Sequence, residues 1–245
     1  MELSPKEIER YDRQISISSF GIEAQLKLKR AAVLVAGVGG LGSAAAIYLA
    51  AAGVGRLRLV DHGEVELSNL NRQVLYSVED VGKPKVSAAA KRLRALNPEI
   101  EVEAIGERIT ESNIHGLLKG VDVVVDGQDN FKTRFIINRA CVEESKPFVY
   151  GAVYGFEGRL MTIIPGKTPC LRCLIPRDPE EPSKVPTIGS LPGLVGSLEA
   201  LEAIKLITGV GKPFTNKLLI IDGAETAFYI IDVKRDPKCP VCGGK

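Results

Sequence analysis

The fold is decided by one stretch of the sequence, VLVAGVGGLGSAAAIYLAAA at residues 33–52, which places a glycine-rich turn between an apolar run and a helix-forming run. The turn needs glycine because other residues resist so tight a backbone and would hold it away from a phosphate. The helix that follows offers unpaired N–H groups and the positive end of its dipole to that phosphate. Asp61 closes the next apolar run, nineteen residues after Gly42, where a carboxylate can accept hydrogen bonds from a ribose. The stretch predicts a nucleotide site but does not indicate which nucleotide binds. The alternative interpretation is a glycine turn that binds no ligand.

The composition indicates a globular protein with a full core and no strong charge bias. The chain has 245 residues, 45% of them apolar and 25% charged, which suits one large domain or one and a half. A net charge of +2 is too small to argue for nucleic acid or a membrane surface as a partner. No apolar run reaches the roughly 18 residues of a membrane span, and the N-terminus lacks a signal-peptide pattern. We therefore expect a cytoplasmic protein without nucleic-acid or membrane partners.

Strand-forming and helix-forming runs alternate through about residue 150, which predicts an α/β fold with a doubly wound, mostly parallel, Rossmann-like sheet. The predicted strands are residues 31–36, 56–60, 100–105, 121–125 and 148–151. The predicted helices are one beginning at Ser4-Pro5, then residues 22–29, one ending near Ala52, and residues 85–96, 111–119 and 130–144.

The pattern changes after residue 150 and predicts a smaller antiparallel part. A hairpin is expected around residues 154–164, followed by a proline-rich segment through Pro186 that we interpret as a mobile loop. A helix at residues 194–207 and strands at 217–222 and 226–233 complete the chain. We predict a nucleotide-binding half, residues 1–150, and a second half, residues 151–245, that together form one compact unit.

Four of the five cysteines form two C-x-x-C pairs, Cys170 with Cys173 and Cys239 with Cys242. Each such turn directs two thiolates at one centre, and two turns complete a tetrahedral zinc site. Redox pairs or disulfides are the alternatives, but neither pair follows a strand–helix junction and a reducing cytoplasm disfavours disulfides. A site with four thiolates has no open coordination position, so it would staple the C-terminus rather than catalyse. Cys141 is predicted to be a buried core residue.

Polar motifs fall where the predicted sheet would bind a ligand. Arg72 would lie near the strand ends, and Lys85 could reach a triphosphate from a helix start. Asp129 could hold magnesium, or could only cap the next helix together with Asn130. Simpler interpretations remain for the other motifs: Arg10–Gln14 could be a solvated helix end, the amides of Asn69–Gln73 could form turns, and Lys85 could be a surface lysine. The motifs are Arg10-Tyr11-Asp12-Arg13-Gln14, Asn69-Leu70-Asn71-Arg72-Gln73, Gly82-Lys83-Pro84-Lys85 and Asp126-Gly127-Gln128-Asp129-Asn130.

These motifs, in this order and with both cysteine pairs, resemble the ThiF/MoeB/HesA family of adenylyltransferases, relatives of the ubiquitin-activating enzymes. The resemblance spans residues 10–243 and implies ATP as the nucleotide. It implies catalytic roles for Arg13, Arg72, Lys85 and Asp129, with Asp129 holding Mg²⁺. It also implies that Arg13 reaches into the site of a partner subunit, hence a homodimer. The nucleotide-binding residues it implies are Gly37, Gly39, Gly40, Gly42, Asp61, Asn69, Arg72, Gln73, Lys85, Asp129 and Asn130.

The reaction implied by the resemblance joins the C-terminal glycine of a small ubiquitin-like sulfur-carrier protein, ending in Gly-Gly, to AMP, with release of pyrophosphate. Catalysis would consist of alignment and charge neutralisation, because a carboxylate is already a nucleophile at neutral pH. Some members of the family carry a further cysteine before the last long helix. This chain has none between Cys173 and Cys239, and no rhodanese domain, so a separate sulfur donor is expected.

The pathway stays open between molybdenum-cofactor, thiamine and tRNA-thiolation sulfur transfer. One rival interpretation is an NAD-dependent oxidoreductase that uses the same glycine loop. The other is an inactive carrier-binding partner. The first gives no role to Arg13 or the cysteine pairs, and the second does not explain why the charged residues are intact.

Overall fold

A computed structural model describes residues 2–180 and 184–243, which form one eight-stranded sheet flanked by helices. The strands are β1 (Ala32–Ala36), β2 (Arg56–Val60), β3 (Glu101–Ile105), β4 (Val123–Asp126), β5 (Phe148–Tyr154), β6 (Glu157–Ile163), β7 (Lys217–Asp222) and β8 (Ala227–Asp232). The helices are α1 (Pro5–Arg10), α2 (Asp12–Ile15), α3 (Gly21–Arg30), α4 (Gly40–Ala52), α5 (Lys85–Leu96), α6 (Ile114–Leu118), α7 (Phe131–Glu143), α8 (Leu171–Leu174) and α9 (Ser190–Thr208). Short 3₁₀ turns lie at Leu67–Asn69 and Val78–Asp80.

The strand order is β3-β2-β1-β4-β5-β6-β7-β8, and neighbouring strands are parallel from β3 through β5. Every residue of β1 is buried, as expected for a central strand covered on both faces. The chain order reverses between β1 and β4, which makes the carboxyl end of this pair the place where doubly wound sheets bind ligands. The predicted parallel α/β sheet is confirmed.

The same sheet continues into the second half of the chain through antiparallel pairing of β5 with β6, β6 with β7 and β7 with β8. Helix α9 packs along α4 on one face of the sheet. This close approach requires Gly196, because a Cβ there would lie 2.3 Å from the carbonyl oxygen of Leu41. The predicted antiparallel continuation is therefore confirmed, and its strands belong to the same sheet as the parallel strands.

Several element boundaries differ from the predictions. Helix α6 begins at Ile114 rather than 111, because the side chain of Asn113 accepts the Thr110 N–H in a turn that precedes it. Strand β5 runs to Tyr154 instead of ending at 151, because pairing with β6 extends it. Helix α9 begins at Ser190, four residues before the prediction.

The predicted mobile loop is only partly described, since residues 181–183 lie outside the described ranges. After them, the backbone is tied to the β5–β6 turn: the Gly155 N–H donates to Pro186 O at 2.6 Å, and the Ile188 N–H donates to Gly155 O at 3.2 Å. The end of this segment, at Pro186, is thus anchored to the hairpin.

Two main clusters of buried apolar side chains cover the two faces of the sheet. One cluster lies between strands β1 and β2 and helices α4, α5 and α9. The other lies between strands β4, β5 and β6 and helices α6, α7 and α8. Cys141 is fully buried in the second cluster, as predicted. Among the described residues, none of the helices has both the length and the apolar character that a membrane crossing requires.

Candidate active site

The carboxyl edge of the parallel sheet opens into a cleft of about 1330 Å³. It brings together all but one of the nucleotide-binding residues predicted from separate motifs, the exception being Gly42, and of the predicted catalytic residues it lacks Arg13. The predicted residues that line it are Gly37, Gly39, Gly40, Asp61, Asn69, Arg72, Gln73, Lys85, Asp129 and Asn130. The topology explains this grouping, because the segments after β1, β2 and β4 emerge at the same sheet edge.

The glycine loop has the geometry that its sequence predicts. Gly37 has a φ of +98°, and a Cβ there would lie 2.6 Å from the carbonyl oxygen of Gly127. A Cβ on Gly42 would lie 1.9 Å from the carbonyl oxygen of Gly37, so Gly42 lets α4 pack against the loop. Gly39 is different, since a Cβ there would meet no atom closer than 3.8 Å. Protein packing therefore requires Gly37 and Gly42, whereas the space beside Gly39 remains open to a ligand.

Asp61 supports the loop in addition to lining the cleft. Its carboxylate accepts the Val38 N–H at 2.9 Å and the Gly63 N–H at 2.8 Å. A carboxylate has about four acceptor positions, so two remain for a ribose. The predicted ribose contact is thus compatible with this bracing.

Sequence reasoning missed Tyr76, which fixes the other side of the loop. Its buried hydroxyl donates to Val38 O at 2.8 Å, and the Ser43 hydroxyl donates to the same oxygen at 3.1 Å. Burial, together with the charge of Asp61, raises the pKa of Tyr76, so the hydroxyl keeps its proton. Only the tertiary structure brings residues 76 and 38 together.

One wall of the cleft carries unpaired positive charge. Arg72 donates to Ser68 O at 2.9 Å and to Asn71 Oδ1 at 3.1 Å. Neither Arg72 nor Lys85 forms an ion pair with any residue in the described ranges. The side-chain oxygen of Gln73 is buried and has no hydrogen-bond partner among those residues. Unpaired cations are what a bound polyanion would complete, whereas the buried Gln73 oxygen is an acceptor and would be satisfied by a hydrogen-bond donor.

The structure separates the two candidate roles in the Asp126–Asn130 motif. Asn130 is the N-cap of α7, and its side chain accepts the Thr133 N–H at 2.9 Å. Asp129 lies one residue earlier, exposed at the cleft, where Asn130 Nδ2 donates to its carboxylate at 3.3 Å. The helix cap is therefore Asn130, and Asp129 is not needed for it.

Arg13 lies outside the cleft, exposed on α2. Its neighbour Gln14 donates from Nε2 to Ala52 O, at the C-terminal end of α4. The glycine loop is at the other end of α4, about 18 Å along the helix axis at 1.5 Å per residue. Arg13 is thus placed away from the cleft of its own chain.

Beneath the cleft lies a buried group of charged residues to which sequence reasoning assigned no role. Arg134 Nε donates to Asp126 Oδ2 at 2.8 Å, and Arg134 also donates to Gln128 O and Gly151 O. Glu199, on α9, is fully buried beside them, and neither of its oxygens has a partner among the described residues. Gly151 makes room for this carboxyl, since a Cβ there would lie 2.5 Å from its Cδ. Desolvation, and then the charge of Asp126, raises the pKa of Glu199 well above its ordinary value, although Arg134 opposes this.

A Glu199→Gln variant is expected to be more stable than the parent at neutral pH. Because folding raises the pKa of Glu199, this residue contributes its full share to the free energy of unfolding only below its unfolded-state pKa near 4.5. That contribution to stability is lost as the pH rises toward the folded-state pKa. One extra proton held by the folded state changes the free energy of unfolding by about 1.4 kcal/mol per pH unit in that range. The advantage of the variant should therefore grow from pH 5 to pH 8 in urea denaturation.

Glu202→Gln is the matched control for this prediction. Glu202 is buried on the same helix but accepts hydrogen bonds from the Thr162 hydroxyl and the Phe214 N–H, both at 2.7 Å, and pairs with Lys205. The control should lose stability, because Lys205 would lose its anionic partner and one of the two acceptor oxygens would be replaced by an NH₂ donor. A Glu199→Gln variant that loses stability equally at every pH would contradict the assignment of a neutral Glu199.

A second site lies outside the cleft, where the four predicted cysteines meet. Their sulfur atoms all lie within 4.8 Å of one another, with Cys170 to Cys239 at 3.6 Å and Cys173 to Cys242 at 3.4 Å. Tetrahedral zinc with Zn–S bonds of about 2.3 Å places its sulfurs about 3.8 Å apart. The four thiols therefore fit zinc, and they join the start of α8 to residues near the C-terminus.

One zinc ion per chain is expected in the purified protein by elemental analysis. Cys239→Ser should reduce the zinc content and lower the unfolding temperature, because a structural zinc site contributes folding free energy directly. Cys141→Ala is the control, since this buried cysteine lies outside the cluster and should leave the zinc content unchanged. Absence of zinc, with thiol titration unaffected by chelator, would contradict the prediction.

Fold and cleft together define a nucleotide-binding α/β protein, with a glycine loop, a helix N-terminus and unpaired cations at a topological switch point. Residues 11–241 match the sequence profile of the ThiF family. The chain belongs to the ThiF family.

Its relatives agree with this assignment. The sulfur carrier protein adenylyltransferase of Thermus thermophilus is 47% identical over 253 residues, covering 99% of this chain and 93% of that protein. The SAMP-activating enzyme E1 of Haloferax volcanii is 44% identical over 248 residues, covering 99% and 92%. The crystal structure of E. coli MccB with ATP has a TM-score of 0.86 at 28% identity, covering 98% of this chain and 75% of that chain. The chain is accordingly an enzyme of the adenylyltransferase class.

Proposed function

We propose that the enzyme activates the C-terminal glycine of a small ubiquitin-like sulfur-carrier protein by adenylation with ATP. The observation that carries the proposal is the pairing of a glycine loop with unpaired Arg72 and Lys85 in one cleft. Names of relatives that act on sulfur carriers support the substrate class. The NAD-dependent alternative does not account for the cationic wall or for this family membership.

In the proposed step, an oxygen of the glycine carboxylate forms a bond to the α-phosphorus of ATP. The bond from that phosphorus to the oxygen bridging to the β-phosphate breaks, and pyrophosphate leaves with the bonding electrons. No proton is transferred, because the nucleophile is already ionised at neutral pH. The products are the acyl adenylate and pyrophosphate.

The residues of the chain would act by position and charge. The N–H groups of the glycine loop and α4 would bind phosphate oxygens, and Asp61 would hold the ribose. Arg72, Lys85 and the amides of Asn69 and Gln73 would bind the phosphate chain, and Asn130 would fix the start of α7 beside it. Mg²⁺, a hard cation that prefers carboxylate and phosphate oxygens, would be held by Asp129 and would offset phosphate charge.

The remaining features of the proposal concern partners. Residues 1–150 would bind the nucleotide and residues 151–245 would bind the carrier. Arg13 would complete the cleft of a second subunit, so that the working form is a homodimer. Sulfur would come from a separate donor protein in the cytoplasm, in molybdenum-cofactor, thiamine or tRNA-thiolation chemistry.

ATP–pyrophosphate exchange tests the proposal directly. The purified enzyme is assayed with Mg²⁺ and a panel of small ubiquitin-fold carriers that end in Gly-Gly, each compared with a version lacking the last glycine. Exchange is expected with at least one intact carrier and with none of the shortened ones. Absence of exchange across the panel, or exchange that ignores the tail, would contradict the proposal.

A further inference from the structure

The peptide unit between Val38 and Gly39 is held at its carbonyl by two hydroxyl groups. The Tyr76 hydroxyl donates to Val38 O at 2.8 Å, and the Ser43 hydroxyl donates to the same oxygen at 3.1 Å. Tyr76 and Ser43 are both buried. A carbonyl oxygen has two lone pairs, so these two donors occupy it completely. Groups inside the protein therefore set the direction of this carbonyl.

The direction of the carbonyl also sets the direction of the next N–H. The oxygen of Val38 and the N–H of Gly39 belong to one peptide unit, which is trans. In a planar trans peptide, the C=O and the N–H point in opposite directions. The Gly39 N–H therefore points away from the two hydroxyls that hold Val38 O.

The N–H of Gly39 has no acceptor within the protein. Gly39 lines the cleft, and its N–H donates to no group in the part of the chain that the structure describes. The space beside it is open, since a Cβ on Gly39 would meet no atom closer than 3.8 Å. A free backbone N–H at the start of a helix is a donor that suits a phosphate oxygen.

The glycine itself does not fix this peptide. Turning the peptide over changes ψ of Val38 and φ of Gly39, and glycine adopts positive φ at little cost although Gly39 has a φ of −76°. Asp61 accepts the Val38 N–H, which belongs to the preceding peptide, and so does not hold this one. A reversed peptide would present Val38 O to the cleft, where its partial negative charge would repel a phosphate. The two hydroxyls oppose this reversal.

We propose that Tyr76 and Ser43 are positioning residues, which hold Val38 O inside the protein so that the Gly39 N–H faces the cleft and donates to a phosphate oxygen of ATP. The inference rests on the proposed function and deepens it, because it assigns phosphate recognition to residues that do not contact the nucleotide. Neither Tyr76 nor Ser43 is among the described residues that line the cleft. Their effect should therefore be confined to the phosphates and should spare the base and the ribose.

Tyr76→Phe and Ser43→Ala each remove one hydroxyl, and the double variant removes both. The double variant should bind ATP about 10- to 100-fold more weakly in calorimetry, the effect of one lost hydrogen bond to a charged group. Each single variant should show a smaller loss in the same direction. Adenosine has the same base and ribose without phosphates, so its affinity, measured by NMR titration, should be unchanged. A general structural defect of the cleft would weaken both ligands by the same factor.

Tyr48→Phe is the matched control, because it removes an exposed hydroxyl outside the cleft and should change neither affinity. Ser43→Ala places a good helix former within α4 and supplies the test even if Tyr76→Phe does not fold. Equal losses for ATP and adenosine, or an unchanged ATP affinity in every folded variant, would overturn the inference. The measurement needs no carrier. A parent enzyme that binds ATP but catalyses no exchange would contradict the proposed function, while the ratio of the two affinities would still decide the inference.

Discussion

Asp129→Ala is expected to abolish adenylation while the protein stays folded. In the proposed mechanism its carboxylate holds the Mg²⁺ that offsets the charge of the phosphates, and no other carboxylate in the Asp126–Asn130 motif is free for this, because Asp126 is paired with Arg134. We expect the rate of ATP–pyrophosphate exchange to fall by a factor on the order of a hundred or more, typical of lost electrostatic stabilisation. The exchange rate and the free energy of unfolding are measured on the same preparation.

Asn130→Ala is the matched control one residue away. Asn130 is the N-cap of α7, and loss of such a cap costs about 1 kcal/mol of stability. The two variants should therefore differ, with Asp129→Ala affecting mainly the rate and Asn130→Ala affecting stability. An Asp129→Ala enzyme that is less stable yet fully active would show that the carboxylate has only a structural role.

Mixing Arg13→Ala with Asp129→Ala is expected to restore activity that neither variant has alone. Arg13 lies near the C-terminal end of α4, about 18 Å along that helix from the glycine loop, and is therefore placed away from the cleft of its own chain. An arginine supplied by a partner subunit to a phosphoryl-transfer site can accelerate the reaction on the order of a thousandfold. Each single variant should accordingly lose nearly all exchange activity.

The size of the rescue follows from the symmetry of the proposed dimer. In a mixed dimer, one of the two clefts receives an intact Arg13 and an intact Asp129, and the other receives neither. About half of the parental activity per mixed dimer should return after subunit exchange, which is followed by native mass spectrometry. An inactive mixture with demonstrated subunit exchange would mean that Arg13 does not act across subunits.

The sequence by itself determined the features that depend on local backbone chemistry. Only glycine fits at positions 37 and 42, because a Cβ there would clash with backbone atoms. The loop and its flanking strand and helix can therefore be predicted from residues 33–52. Two C-x-x-C turns likewise predict one centre, because each turn fixes the separation of its own thiols. The alternation of strand-forming and helix-forming runs likewise predicted the parallel sheet that the structure shows.

Only the tertiary structure decided which distant residues share an environment. Tyr76 supports Val38, and Glu199 reaches Arg134 and Gly151, across tens of residues whose spacing carries no periodic signal. The Tyr150 hydroxyl could be recognised as unsatisfied only after every neighbour was in place. Burial and hydrogen-bond satisfaction are properties of the packed molecule, because they depend on what surrounds a group in space. The chemical groups of each motif can therefore be identified from the sequence, whereas the burial and hydrogen bonding of each side chain depend on the fold.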